Sequence, residues 1–380
     1  MKYLILTAAT GGGHIQAAKN LKNEIEKQGN TCIIYGLFNK SKFHIIEKGY
    51  DFLLNANLNK AYSILYKISD IDFINSFFLK NFLIHYELKL KKLLETEKPD
   101  VIISTHPFGV PMYAQLRRLF KFDIPYIQII TDFKAHATYI NKVVDAYIVG
   151  SDYTKETLVE KGIDQDKVFI FGIPVKEEFR TKKENISDDF NILLMGGSLG
   201  LKAMEKVVDI LVNSNLPIHL TVVCGKNIKL QKKLTKTLTK QIIDGKVHIY
   251  GFTDKISDIM DNSKLIITKP GGLTSTEAIN KHLPMIIPFY IPGQEEENTA
   301  FLVESNMALE IKDFEHIPNY INFLIENKEY YNNMVDSMKK LAKCYSTTKI
   351  IELANQLIKK WCLNIIFFIP TFHIIQKLFL

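Results

Sequence analysis

The chain has 380 residues, 47% hydrophobic and 23% charged, which supplies core for about two globular domains at the usual ~100–200 residues each. A net charge of +7 and a pI of about 8.9 admit nucleic acid, anionic lipid or phosphate-bearing partners alike, so charge alone chooses no partner. Cys32, Cys224, Cys344 and Cys362 are scattered without a Cys-x-x-Cys pair; this argues against a disulfide framework or a zinc site and fits the reducing cytosol.

From the N-terminus, Met1–Thr10 is too short an apolar run for a signal peptide and is predicted as a first strand, Tyr3–Thr7. It runs into Thr10-Gly-Gly-Gly-His-Ile-Gln-Ala-Ala18. Gly11 to Gly13 let the backbone pass close to a ligand, and a helix beginning near His14 offers free N–H groups and a positive dipole end. His14 sits at that mouth, and an imidazole titrating near neutrality can accept a hydroxyl proton. The plainer role for such a histidine is a cap or a packing contact.

Further strands are predicted at Thr31–Tyr35, Val101–Ser104, Tyr126–Thr131 and Ala146–Val149, alternating with amphipathic stretches in the βαβ rhythm of a parallel sheet. Phe43 to Leu94 breaks the rhythm, being helical in pattern and rich in aromatics threaded with lysines. It allows two readings: amphipathic helices covering a sheet, or a membrane-contacting excursion. The polar stretch Lys182–Asp189 is the predicted linker.

The rhythm restarts at Asn191–Met195 and continues at His219–Cys224, Val247–Tyr250, Leu265–Thr268 and Met285–Pro288. Met195-Gly-Gly-Ser-Leu-Gly200 repeats the first turn in a weaker form, with Gly197 and Ser198 placed either to share a diphosphate or to pack helix on strand. The third turn is more informative. After Leu265–Thr268, Pro270-Gly-Gly272 turns tightly into a helix from Leu273 to Lys281, aiming the N–H groups of Gly272, Leu273 and Thr274 at an anion. Glu277, one turn later, can accept two ribose hydroxyls. It can equally close a capping box, Thr274-Ser-Thr-Glu277. Beyond it, Pro288–Asn298 holds two stiff prolines and then Gln294, Glu295 and Asn298, which can meet sugar hydroxyls or simply complement a helix dipole.

After Lys359-Lys360 the chain is apolar from Trp361 to Leu380, interrupted by Asn364, Pro370, His373, Gln376 and Lys377. Three placements are open: a membrane span, an interfacial segment, or a tail packed against the body. The lysines from Lys226 to Lys246 read as a solvated helix face with no stacking motif beside them, so no nucleic-acid partner is expected.

Taken together, Gly11-Gly-Gly-His14, Ser104-Thr-His-Pro107, Thr131-Asp-Phe133 with His136, Gly172-Ile-Pro174, Lys269-Pro-Gly-Gly-Leu-Thr274 with Glu277-Ala278, and Pro292-Gly-Gln-Glu295 with Asn298 resemble the monogalactosyldiacylglycerol synthases and bacterial processive diacylglycerol glucosyltransferases, relatives of the lipid II GlcNAc transferase. The resemblance runs over roughly residues 1–345. It implies an α/β protein of the GT-B fold, two Rossmann-like doubly wound domains facing a cleft: 1–181 for the acceptor and membrane, a linker 182–190, 191–345 for a UDP-sugar, and a helical tail 346–380. It implies inverting transfer of glucose or galactose from a UDP-sugar to the 3-hydroxyl of diacylglycerol or a glycolipid, with neither cofactor nor metal, at an anionic membrane on the cytoplasmic face.

His14 would be the base, with Asp132 and His136 as acceptor-side or orienting groups. Gly13, Gly197, Ser198, Lys269, Gly272, Leu273 and Thr274 would surround the diphosphate, and Glu277 would hold the ribose. Gln294, Glu295 and Asn298 would hold the sugar, and the turn at Phe252-Thr253 the uracil. Alternatives of the same fold are a GlcNAc transferase of peptidoglycan-precursor type, a sugar-nucleotide epimerase, and a UDP-sugar-sensing regulator without catalysis. The aromatic excursion and the joint presence of His14, Asp132 and Glu277 favour the lipid enzyme.

Overall fold

A computed structural model describes residues 1–8, 11–37, 87–183, 189–196 and 203–361. The aromatic insert up to residue 86, Gly197, Ser198 and the tail beyond Trp361 lie outside the described residues.

Two parallel six-stranded sheets form the scaffold. The first contains β1 (Lys2–Thr7), β2 (Thr31–Gly36), β3 (Val101–Ser104), β4 (Tyr126–Ile129), β5 (Ala146–Val149) and β6 (Val168–Ile170), in the order β2-β1-β3-β4-β5-β6. The second contains β7 (Phe190–Met195), β8 (Ile218–Val223), β9 (Val247–Tyr250), β10 (Leu265–Thr268), β11 (Met285–Ile287) and β12 (Ala308–Glu310), in the order β12-β11-β10-β7-β8-β9. Central strands such as β3, β4 and β10 are buried throughout, as expected where helices cover both faces. The sequence leaves β6 and β12 unread, because each is a three-residue, half-exposed edge strand without a long apolar run.

Strand order fixes where a ligand can sit. In the first sheet the chain reverses its direction of growth between β1 and β3, and in the second between β7 and β10. At such a switch point the flanking loops diverge and leave a crevice at the carboxyl ends of the strands. The loops there are the Gly11–His14 and Thr105–Phe108 segments in one half, and the segments after Met195 and after Thr268 in the other. All the glycine-rich turns except the one after Met195, whose residues 197–202 are not described, are thereby placed by topology.

The described start of the passage between the halves is fastened to the second half. Lys281, fully buried, pairs with Asp261 at 2.8 Å and donates to the Thr181 carbonyl at 2.8 Å. Lys182 donates to the carbonyls of Met260 (3.0 Å) and Asp261 (2.9 Å), and burial pushes its amine down to about 8. The first residues of the expected linker therefore already belong to the surface of the second half. Deleting one partner of a buried ion pair costs about 3–5 kcal/mol, which measures how firmly this attachment is held.

The chain then returns. Tyr345 donates to the Gly150 carbonyl at 2.6 Å, and a helix over residues 347–361 lays Ile350, Ile351 and Ala354 against Tyr3, Ile5 and Leu21 of the first half. The described part of the tail thus packs against the body. Among the described residues no helix is long and apolar enough to cross a membrane.

Candidate active site

His14 lies in the first turn of the helix Gly11–Lys27, which starts three residues earlier than expected. Its Nδ1 is 2.7 Å from the carbonyl oxygen of Thr105, at the end of β3. A carbonyl only accepts, so Nδ1 carries the hydrogen, and the neutral ring keeps its lone pair on Nε2. Burial holds the imidazole below its ordinary value of 6.5, partly opposed by the Thr105 carbonyl. A half-buried, neutral histidine with a fixed tautomer can take a proton at Nε2. A Cβ on Gly12 would meet no atom within 4 Å, so the space at that position is open.

Three neighbours of His14 carry no assigned role in the sequence reading, although they fall inside motifs quoted there. The Thr105 hydroxyl donates to the His14 carbonyl at 3.1 Å, the Thr131 hydroxyl lies 2.9 Å from Nδ1, and the buried His106 ring stands edge-on at 4.8 Å. Burial, and His14 beside it, hold His106 well below the usual histidine range. Their one sequence signal is position: each lies within two residues of the end of β3 or β4, at the carboxyl edge of the sheet.

The opposing half brings up the helix Gly272–Asn280. Its N-cap is Gly271, and its first intrahelical bond runs from Ser275 N–H to the Gly271 carbonyl at 2.9 Å. The amides of Gly272, Leu273 and Thr274 are therefore the orphan donors of the first turn, as the sequence predicts. Gly13 faces Leu273, their Cβ positions 3.9 Å apart once a Cβ is built on the glycine. The turn that carries His14 and the first turn of this helix thus confront each other across the cleft.

Of the two roles open to Glu277, the capping box is excluded. Thr274 is the third helical residue, not the N-cap, so Glu277 lies too deep to reach back to it. Among the described residues its carboxyl has no hydrogen-bond partner, and burial pushes it up to about 8, with Lys176 lowering and Glu178 raising it.

The expected sugar-holding residues divide. Glu295 pairs with Lys269 at 2.6 Å and accepts from the Ile291 amide at 2.9 Å, so the Lys269 charge is already matched by a carboxylate. Asn298 is 1% exposed; its amide donates to Pro270 (3.0 Å) and Asp132 (3.3 Å) and accepts from Phe133 N–H (2.9 Å). In this geometry Asn298 ties the two halves together, a placement that spacing along the chain does not encode. Lys134 and Glu297 add an ion pair at 2.9 Å beside it.

Asp132 is buried at the same junction, where burial pushes its carboxyl up to about 6 against hydrogen bonds from Gln294 and Asn298. The His136 Nδ1 accepts from Thr138 N–H at 3.2 Å and caps the turn Ala137–Tyr139, so the structure gives it an orienting place on that turn. Phe252, 73% exposed with Lys226 5.9 Å from its ring centre, and Thr253 lie beyond β9 at the sheet edge.

Residues 14–175 match the family described as monogalactosyldiacylglycerol (MGDG) synthase, and residues 191–351 match the glycosyltransferase family 28 C-terminal domain. A processive diacylglycerol beta-glucosyltransferase of Bacillus licheniformis is 31% identical over 94% of this chain and 96% of its own length. The chain belongs to this family. In the MGDG synthase and diacylglycerol glucosyltransferase family it is a glycosyltransferase of the GT-B fold. Acinetobacter baumannii MurG superposes with a TM-score of 0.62 at 15% identity, covering 94% of this chain and 100% of that one. Anabaena Alr3699/HepE, solved in complex with UDP-glucose, superposes at 0.53 with 12% identity, covering 95% and 100%. These likenesses fix the fold of this glycosyltransferase, with its two turns at the switch points.

Proposed function

We propose that this glycosyltransferase moves glucose or galactose, with inversion, from a UDP-sugar to the 3-hydroxyl of diacylglycerol at the cytoplasmic face of a membrane. The observation that carries the chemistry is the His14 ring, neutral and anchored at Nδ1, facing orphan helix amides across a cleft. As the acceptor hydroxyl attacks the anomeric carbon, Nε2 removes its proton. The amides of Gly272, Leu273 and Thr274 receive the charge of the departing UDP, and fixed dipoles of this kind stabilise such charge strongly. The lipid acceptor follows from what the relatives are named for. The deciding experiment incubates purified protein and diacylglycerol vesicles separately with UDP-glucose, UDP-galactose and UDP-GlcNAc. A hexosyl-diacylglycerol is expected; absence of any new glycolipid defeats the proposal, and transfer of GlcNAc alone replaces it with the peptidoglycan-type reading.

Glu277 is assigned to the ribose, because its unpartnered carboxyl lies on the helix whose first turn faces the diphosphate site. Glu277→Ala should weaken UDP affinity about tenfold, the loss of one or two hydrogen bonds to a buried carboxyl. Calorimetry with UDP is the check, and unchanged affinity would remove the assignment.

The membrane side of the proposal is supported by a face of the first half. Leu88, Leu119 and Phe120 are exposed, with the Lys91 ammonium 4.7 Å from the Phe120 ring centre and Arg117 5.2 Å from that of Trp361. Arg118 and Lys121 are exposed beside them. Apolar side chains rimmed by cations suit an anionic interface. Converting Leu119 and Phe120 together to aspartate should lower vesicle binding at least ~tenfold, since each such side chain contributes about 1.5–3 kcal/mol when withdrawn from water. Vesicle co-sedimentation measures it; binding equal to wild type would move the membrane face elsewhere.

A further inference from the structure

We propose that Thr131 is a positioning residue that ties the ring of His14 to the first turn of the helix Gly272–Asn280, and that Asn298 is the strap that holds it there. The inference rests on His14 acting as the base. Two atoms of Thr131 carry it. The hydroxyl lies 2.9 Å from His14 Nδ1, and the carbonyl presses so closely on Gly272 that a Cβ there would come within 1.9 Å of its oxygen. One residue thus meets the base with its side chain and the opposing helix with its backbone. Thr131 is 6% exposed and lies two residues beyond β4, outside any helix or strand.

Backbone outside the sheet needs other anchors, and this stretch is gripped from both halves. From the second half, Asn298 accepts from Phe133 N–H at 2.9 Å and donates to Asp132 Oδ1 at 3.3 Å and to the Pro270 carbonyl at 3.0 Å, two residues before Gly272. Both hydrogens of its amide are thereby committed within the protein, which suits a strap better than a sugar ligand. One turn along the same helix, the Phe301 ring stacks on Phe133 with 4.5 Å between ring centres. From the first half, the Thr154 hydroxyl donates to the Phe133 carbonyl at 2.8 Å. Phe133, Thr154 and Asn298 are at most 1% exposed, and at such buried positions a hydrogen bond left unmade is costly. Thr131 therefore moves with the turn at Pro270–Gly272, and the His14 ring is held against the same residue.

The contact with His14 gains strength during the reaction. Nδ1–H is shared between the Thr105 carbonyl and the Thr131 oxygen. When Nε2 takes the acceptor proton, the acceptor O–H bond breaks, an N–H bond forms, and the ring becomes a cation while Nδ1 keeps its own hydrogen. A hydrogen bond from a charged donor is about twice as strong as one from a neutral donor. Thr131 thus favours the protonated ring and fixes its plane as the charge forms. His106 is the titratable side chain found against the ring; its Nδ1 already accepts from Phe108 N–H, and a histidine supplies no countercharge.

Thr131→Val keeps the size and removes only the hydroxyl. With the donor that supports transfer, kcat should fall roughly tenfold, the loss of one hydrogen bond to a charged group. KM for the UDP-sugar should stay unchanged. The acidic limb of the kcat/KM profile should move to lower pH, because the His14 cation loses an acceptor. Thr131→Ser should restore all of this. Asn298→Ala should cut kcat at least as far without altering the preference among UDP-sugars. In the double variant the loss should fall short of the product of the two single losses, because both act through one group. Wild-type kcat in Thr131→Val, or equal damage from Thr131→Ser and Thr131→Val, overturns the positioning role. A changed sugar preference in Asn298→Ala, or losses that multiply in the double variant, overturns the strap. If Asn298→Ala melts early, the two Thr131 variants carry the test. Full activity in His14→Ala would instead defeat the base assignment, a distinguishable result.

Discussion

His14→Ala is expected to lower turnover by about 10²–10⁴-fold, the span of a lost general base, with UDP affinity unchanged. The physical ground is the fixed tautomer. With Nδ1 committed to Thr105, one nitrogen remains basic, and buried His106 does not duplicate it, since its Nδ1 already accepts from Phe108 N–H at 3.3 Å. The pH dependence has a definite sign. Because burial lowers the His14 pKa below 6.5, the wild-type acidic limb of kcat/KM should lie below 6.5 and vanish in the variant. The same shift affects folding: the unfolded chain binds the extra proton just below 6.5, so stability rises with pH through that window. Single-turnover kinetics with calorimetric UDP binding separates the two effects. Unchanged turnover removes His14 from the mechanism.

Gly272→Ala is expected to be nearly as damaging for a different reason. A Cβ at this position would lie 1.9 Å from the Thr131 carbonyl oxygen and 3.2 Å from Ile173 Cδ1. Backbone cannot yield that far, and Thr131 belongs to the other half, so the cheapest relief is to part the two halves at the cleft. That displaces His14 from the Gly272–Thr274 amides, and a misplacement of about 1 Å at a reacting centre can cost 10²-fold in rate. Turnover should therefore fall by roughly 10²-fold while each half keeps its own core. Circular dichroism would report intact secondary structure and steady-state kinetics the loss. Wild-type turnover would show that the close approach plays no part in catalysis.

The glycine turns were legible because they combine two local requirements, a tight turn after a buried strand and a helix start with free amides. Ten of the strands could be read because each is a short run rich in apolar and β-branched residues. The edge strands β6 and β12 lack that run, and pairing with one neighbour is what makes them strands. Glu277 shows the limit of local reasoning. Thr274-Ser-Thr-Glu277 has the spacing of a capping box, and only the observed start of the helix at Gly272 removes that option. Asn298 shows it again: its three hydrogen bonds reach residues 28 and 166 positions away and their neighbour Phe133, so no spacing rule could assign it.

The amino-acid sequence by itself determined the βαβ alternation, the glycine turns that open helices, the candidate at His14 and the family. These depend on periodicity, backbone freedom and residue chemistry within a few positions. Tertiary structure decided which turns meet, which nitrogen of His14 is free, and that Thr105, Thr131 and His106 stand beside it. It also anchored Thr181 and Lys182 to the second half and folded residues 347–361 back onto the first sheet. The physical reason is common to all of these: hydrogen bonds and ion pairs between distant residues depend on the strand order of two sheets, and strand order is set by packing the whole chain.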